Sequence, residues 1–155
     1  MRRLLILSVL LWGCASAPQR DVPICDLLTA DDLQRIQGER PVEIKPSQSG
    51  AFQQCFYRLP TFTSSINLGV THDGRALWQR IEQGGREEEE GEKGRTREVE
   101  GLGDDALWSP LPIGATLYVL RGDTMLRISI GGKMDDATRL ERSIQLAKAS
   151  LKRLR

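Results

Sequence analysis

The run Ala115-Thr116-Leu117-Tyr118-Val119-Leu120-Arg121-Gly122-Asp123-Thr124-Met125-Leu126-Arg127-Ile128-Ser129-Ile130 reads as two strands back to back. From Thr124 to Ile130 the residues alternate. Leu126, Ile128 and Ile130 fall on one face and Met125, Arg127 and Ser129 on the other, the period of two that an extended chain converts into one apolar surface. Ala115 to Leu120 is a second extended run, and Arg121-Gly122-Asp123 between them supplies a Gly-Asp turn, so the stretch is a hairpin. Gly131-Gly132 releases the chain into a helix near Asp135 to Leu154. There Ala137, Leu140, Ile144, Ala147, Leu151 and Leu154 recur at steps of three and four, a single stripe suited to covering a sheet. Asp135 and Asp136 at its start and Lys148, Lys152, Arg153 and Arg155 at its end follow the helix dipole, which makes capping and solubility, not lipid contact, the role expected of those cations.

Working back from the hairpin, Thr96 to Val99 is a short strand, and Gly101-Leu102-Gly103-Asp104-Asp105-Ala106-Leu107-Trp108 turns into another that Pro110-Leu111-Pro112 is expected to break. Thr29 to Gly38 is a compact helix: Thr29 suits the N-cap, Asp31 and Asp32 the positive helix start, Gly38 the stop, and Leu33 and Ile36 the inward face. Three strands are expected next, over Pro41 to Lys45, Phe52 to Leu59 and Ser64 to Thr71. The last alternates cleanly, with Ile66, Leu68 and Val70 opposite Asn67, Gly69 and Thr71. Asp73-Gly74 opens a second helix through about Gln83, with Leu77, Trp78 and Ile81 inward. The sum is one α+β domain over residues 25–155: an antiparallel sheet, its strands joined by short loops, with helices packed on one face.

The chain has 155 residues, 39% hydrophobic and 28% charged, with a formal net charge of +1. It is too short for two sizeable cores and too rich in Leu, Ile and Val to stay unfolded. Its charge balance is too even to collect nucleic acid. Gly84 to Gly94 holds four glycines and five glutamates and no apolar residue, and reads as a solvated loop or a frayed helix extension. A calcium site there is disfavoured, because such a loop needs ligands in a fixed geometric order.

The first residues are an address. Met1-Arg2-Arg3 is basic, Leu4 to Trp12 is a short apolar run of about half the ~20 residues of a spanning helix, and small residues follow, the build of a secretory signal. Leu11-Trp12-Gly13-Cys14 resembles a bacterial lipobox, in which the Cys is lipidated and becomes the first mature residue. Residues 1–13 are then the lipoprotein signal peptide, and residues 14–24 are the lipidated Cys14 and a proline-bearing tether. The rival reading is Ala15-Ser16-Ala17 as the cleavage site of a secreted soluble protein, with Pro18 unfavourably placed after the cut. Two or more acyl chains hold a protein stably where one does not, at ~0.8 kcal/mol per buried methylene. Removal of residues 1–13 leaves 20 basic and 21 acidic residues, a net charge of −1. The expected place is the cell envelope, on the outer membrane facing the periplasm if the host is diderm.

With Cys14 lipidated, Cys25 and Cys55 remain in an oxidising compartment and are expected to form a disulfide. Two separate buried thiols are the alternative. A catalytic cysteine is disfavoured because His72 is the sole histidine and shows no orienting partner. Arg121-Gly122-Asp123 matches an adhesion tripeptide but is explained by its turn. Gly101-Leu102-Gly103 lacks the third glycine of a dinucleotide site. Asp104 and Asp105 are adjacent, so a strand sends them to opposite faces, a poor catalytic pair. Trp78 and Trp108 read as core residues.

Cys25-Asp26-Leu27-Leu28-Thr29, the second cysteine in Gln54-Cys55-Phe56-Tyr57, and Gly101-Leu102-Gly103-Asp104-Asp105-Ala106 resemble, in that order, a group of uncharacterised bacterial envelope lipoproteins, best known from actinobacteria. The resemblance spans Cys25 to Leu154 and implies an exported α+β domain with one disulfide; no activity comes with it. The expected function is that of a membrane-anchored, non-catalytic envelope lipoprotein that binds a small ligand or an envelope protein partner, without metal or cofactor. The alternatives are a secreted soluble domain and a regulatory or inhibitory subunit of an envelope complex. A hydrolase is disfavoured, because no nucleophile–base–acid set assembles. A deep apolar pocket of several hundred Å³ favours a ligand, and a flat exposed apolar patch favours a partner.

Overall fold

The computed structural model describes residues 23–88 and 96–154. The expected export signal, Cys14 and the centre of the acidic run therefore lie outside the described residues. A 3-10 turn over Ile24–Leu27 leads into α1 (Ala30–Gln37), β1 (Glu43–Ser49), β2 (Phe52–Arg58) and, after a second 3-10 turn over Phe62–Ser64, β3 (Ile66–Thr71). The chain continues through α2 (Arg75–Glu88), β4 (Arg97–Glu98), β5 (Asp105–Leu111), β6 (Gly114–Arg121), β7 (Thr124–Gly131) and α3 (Asp136–Leu151). All seven strands join one antiparallel sheet in the order β1-β2-β3-β7-β6-β5-β4. The class is α+β. The last strand enters the middle, pairing β3 on one side and β6 on the other, and so sews the two halves of the chain together.

The register sets the core. Cys55 lies opposite Leu68, Leu68 opposite Ile128, and Ile128 opposite Leu117, one fully buried row across four strands. Above and below it on the same face stand Tyr57, Ile66, Val70, Leu126, Ile130, Ala115, Val119, Ala106 and Trp108. Leu27 of the first 3-10 turn, Leu33 and Ile36 of α1, and Leu146, Ala147 and Ala149 of α3 cover this face. The end of α2 differs from expectation, since the helix runs past Gln83 to Glu88. Its Trp78 packs with Leu107, Leu120 and Met125, residues that alternate with the main core and therefore belong to the second face of the sheet. α1 and α3 thus share one face as expected, whereas α2 departs from the expectation of helices on one face and leans on the other, where Leu107, Leu120 and Met125 give the sheet a second apolar patch.

Local signals read from the sequence hold at α1. The Thr29 hydroxyl accepts from the Asp32 N–H at 3.1 Å while the Thr29 N–H donates to the Asp32 carboxylate at 3.0 Å, a reciprocal cap. Gly38 ends the helix at φ 84°. Two strands extend beyond their expected ends. β1 continues through Pro46 to Ser49, tolerated because β1 is an edge strand. Pro110 does not break β5 either. It pairs with Ala115, and its missing N–H falls past the end of β4, whose pairing stops at Arg97 opposite Trp108.

The buried line of α3 also differs from the expected stripe. Arg139, Ser143, Leu146, Ala147, Ala149 and Ser150 are buried, whereas Ala137 is exposed and Leu140, Ile144 and Leu151 flank the contact half-buried. Small side chains at 143, 147 and 150 let the helix lie close to the sheet. Arg139 tucks beneath its start, donating to the carbonyls of Gly132 (3.1 Å) and Met134 (3.0 Å) and pairing with Asp136 at 2.6 Å.

Candidate functional site

The expected disulfide is present. Cys25 and Cys55 are joined, with their Cα atoms 5.2 Å apart, tying the opening 3-10 turn to the middle of β2. The buried Tyr57 hydroxyl, two residues along the same face, donates to the Cys25 carbonyl at 3.0 Å. Burial drives its ionisation well above the ordinary tyrosine range. This corner is a closed structural joint.

Arg121-Gly122-Asp123 is equally occupied. The Arg121 guanidinium donates to the carbonyls of Leu151 (2.7 Å) and Leu154 (3.2 Å) at the end of α3. The Gly122 N–H donates to the Asp104 carboxylate at 2.6 Å, and Asp123 receives Arg75 at 3.2 Å. The Gly74 N–H donates to the Asp123 carbonyl at 2.7 Å, so one turn anchors α3, α2 and the Gly101–Asp104 loop together. Within that loop Leu102 plugs the core, and Gly101 and Gly103 adopt φ of 72° and 68°. Asp104 is spent on Gly122, and Asp105 begins β5. His72 stands half-buried in the turn before α2 and makes no side-chain hydrogen bond among the described residues. Trp78 and Trp108 are buried, as expected of core side chains.

Two concave surfaces among the described residues flank α2. Gly74 places the helix close to β7, where a Cβ would stand 2.8 Å from that of Met125. Leu77 and Ile81, one turn apart, line one flank; Trp78 and Glu82 line the other. Beneath the second flank is a cleft of about 280 Å³ walled by the Gly101–Leu107 loop and by Glu98 and Glu100. Beneath the first is a groove of about 320 Å³ between α2 and the sheet, floored by Phe52, Thr71, Met125, Arg127 and Tyr118. Trp78 and Met125 belong to the packed partition between them.

The first groove has an unusual floor. Arg127 sits in the central strand, with Gly69 opposite it on β3 and Tyr118 on β6. The missing side chain of Gly69 leaves room that the Phe52 ring fills; a Cβ there would meet ring carbons at 2.6 and 2.9 Å. The Arg127 guanidinium lies over that ring, 4.9 Å from its centroid. No carboxylate pairs with Arg127 among the described residues, and its buried Nε has no acceptor. Thr71, also in the floor, has a buried hydroxyl without a partner. Sequence reading identified Arg127 only as an outward residue of its strand; the available signal was a lone cation between Leu126 and Ile128 with aromatic residues on nearby strands. That the strand is central was not visible.

Among the described residues no group of three His, Cys, Asp or Glu side chains could hold a metal ion, and no helix is long and apolar enough to cross a membrane. Comparison with protein-family models, with curated proteins and with solved structures found no match.

Proposed function

We propose that the protein is a bacterial envelope lipoprotein, held by acyl chains on Cys14, whose domain binds a small, largely apolar ligand and performs no catalysis. The observation that carries the ligand reading is the groove of about 320 Å³ between α2 and the sheet, a volume within the range of small-molecule sites. The lipobox Leu11-Trp12-Gly13-Cys14 supports the anchor, and the Cys25–Cys55 bridge suits an oxidising compartment. Titration with the neutral fluorophore N-phenyl-1-naphthylamine tests the groove: saturable enhancement that Leu77→Asp abolishes is expected, and no enhancement refutes the reading. Metabolic labelling with palmitate tests the anchor, since Cys14→Ser should remove the label and persistent labelling contradicts it.

A second reading, docking onto an envelope protein as a regulatory or inhibitory subunit, is favoured by one surface. Phe62, Leu111 and Ile113 are 67%, 52% and 88% exposed. Their two loops abut at Gly131, where a Cβ would stand 2.3 Å from the Thr63 carbonyl oxygen and 3.7 Å from that of Ile113. Loss of crosslinking to one defined partner in Phe62→Asp and Ile113→Asp, with probe binding intact, would favour that reading over the first.

A further inference from the structure

We infer that the groove under α2 selects single-chain anionic amphiphiles, with Arg127 holding the carboxylate and the walls of α2 holding the chain; the inference rests on the ligand-binding reading above. An arginine stays charged at every physiological pH and presents its donors in a fixed fork that matches a carboxylate. At a protein surface that charge is normally met by Asp, Glu or water. Arg127 instead stands on the central strand of the sheet with no carboxylate partner among the described residues, and its Nε is removed from solvent without an acceptor. No side chain of the described residues accepts from Arg127, so a carboxylate that enters the groove and reaches the guanidinium displaces no protein partner and gains a charge-assisted hydrogen bond.

The cation is also pre-positioned. Phe52 fills the space above Gly69 and presents its ring face to the guanidinium at 4.9 Å, which limits the orientations of the fork before any ligand arrives. Thr71, in the same floor, holds a second unpartnered polar atom, a hydroxyl able to donate to the other oxygen of a carboxylate. Most of the remaining lining is of opposite character: Leu77, Ile81 and Met125 offer hydrocarbon and no charge, and Tyr118 adds an uncharged ring with a phenol group. One cation with the hydroxyl-bearing Thr71 and Tyr118 at the floor of an otherwise apolar groove is complementary to an acyl chain ending in a carboxylate. The cleft on the other flank of α2, lined by Glu98, Glu100 and Asp105, does not compete for such a ligand, because its side-chain charge repels it.

The test compares decanoate, 1-decanol and acetate by calorimetry on the folded domain, with N-phenyl-1-naphthylamine as the neutral probe. Decanoate is expected to bind about tenfold more tightly than decanol, and acetate more weakly than either. Arg127→Met, which keeps an apolar stem without the charge, should bring decanoate and decanol within about twofold while the neutral probe still binds; Arg127→Lys should retain part of the preference and serves if the methionine variant does not fold. Equal binding of decanoate and decanol to the unaltered protein, with the probe bound, overturns the headgroup assignment and leaves the groove intact. Acetate binding as tightly as decanoate identifies a site for free anions and overturns the amphiphile. Failure of both probe and decanoate to bind overturns this inference and the ligand-binding reading together.

Discussion

Gly101 and Gly103 share a left-handed backbone but not the same surroundings. A Cβ at Gly101 meets nothing within 4 Å, whereas one at Gly103 would stand 2.4 Å from the Leu120 carbonyl oxygen and 2.6 Å from a Val119 methyl. Gly101→Ala should therefore cost only the conformational penalty, about 1 kcal/mol, and Gly103→Ala at least about 3 kcal/mol, because backbone must also move; urea denaturation of the two variants checks the difference. Asp32 is the other residue that does more than its sequence position announces. Its carboxylate accepts from Thr29, receives Arg35 at 2.9 Å and pairs with Arg153 from the end of α3 at 2.9 Å. Burial alone raises its pKa, but the hydrogen bonds from Thr29 and Arg35 and the charge of Arg153 outweigh it and hold the group below the usual aspartate value. Because the folded pKa is the depressed one, this contribution is fully present above about pH 4 and disappears as the pH falls through the folded value. The melting-temperature advantage of the unaltered protein over Asp32→Asn should accordingly be largest near neutrality and shrink toward zero below pH 4. The capping role of Thr29 was legible in the sequence, since a helix cap is local, whereas Asp32 was read there only as a complement to the helix dipole and its reciprocal bond to Thr29 came from the structure. The Arg153 pairing was not, because 121 positions separate the partners and the cluster of cations around Arg153 offered a sufficient local explanation in the helix dipole.

At the scale of the elements, α3 shows where periodicity misleads. The stripe of Ala137, Leu140, Ile144, Ala147, Leu151 and Leu154 correctly placed an amphipathic helix against a sheet, but Leu140, Ile144 and Leu151 mark the shoulders of that contact, and its centre is Leu146 among the small Ser143, Ala147 and Ser150. Ser143 and Ser150 are fully buried, and the Ser150 hydroxyl donates to the Leu146 carbonyl at 3.0 Å. Close helix–sheet approach depends on this, so Ser143→Leu should overpack the interface and cost about 1–3 kcal/mol, whereas Ala137→Leu, on exposed backbone, should stay within about 0.5 kcal/mol. Thermal denaturation of the pair distinguishes the two faces of the helix. The strands tell the same story in reverse. β3 and β7 were readable because burial on at least one face imposes alternation, and β6 because it is an extended run ending at a Gly-Asp turn. β1 and the end of β5 were cut short at prolines, since a proline is excluded only where its N–H is required, and whether it is required depends on which strand lies alongside. β1 is an edge and β4 is two residues long, facts that belong to the sheet and not to either strand.

For the whole molecule, the disulfide and the order of the strands matter most. The Cys25–Cys55 bridge closes 30 residues that include α1, β1 and half of β2. A double Cys25→Ser, Cys55→Ser variant should lose about 3–4 kcal/mol in the loop-entropy account, measured as a fall in the urea midpoint, with α1 and β1 losing amide protection before the central strands. Sequence alone determined the α+β class, the helix caps, the turn glycines and the pair of cysteines, because each rests on contacts within a few residues or on the period of one element. The tertiary structure alone decided that β7 lies at the centre of the sheet, that α2 occupies the second face, and that Arg127, Phe52, Gly69 and Thr71 meet under it. The physical reason is that alternation tells which residues share a face of a strand but carries no information on which strand is its neighbour. A groove is built from neighbours, and here from five elements: β2, β3 and α2 of the first half of the chain and β6 and β7 of the second.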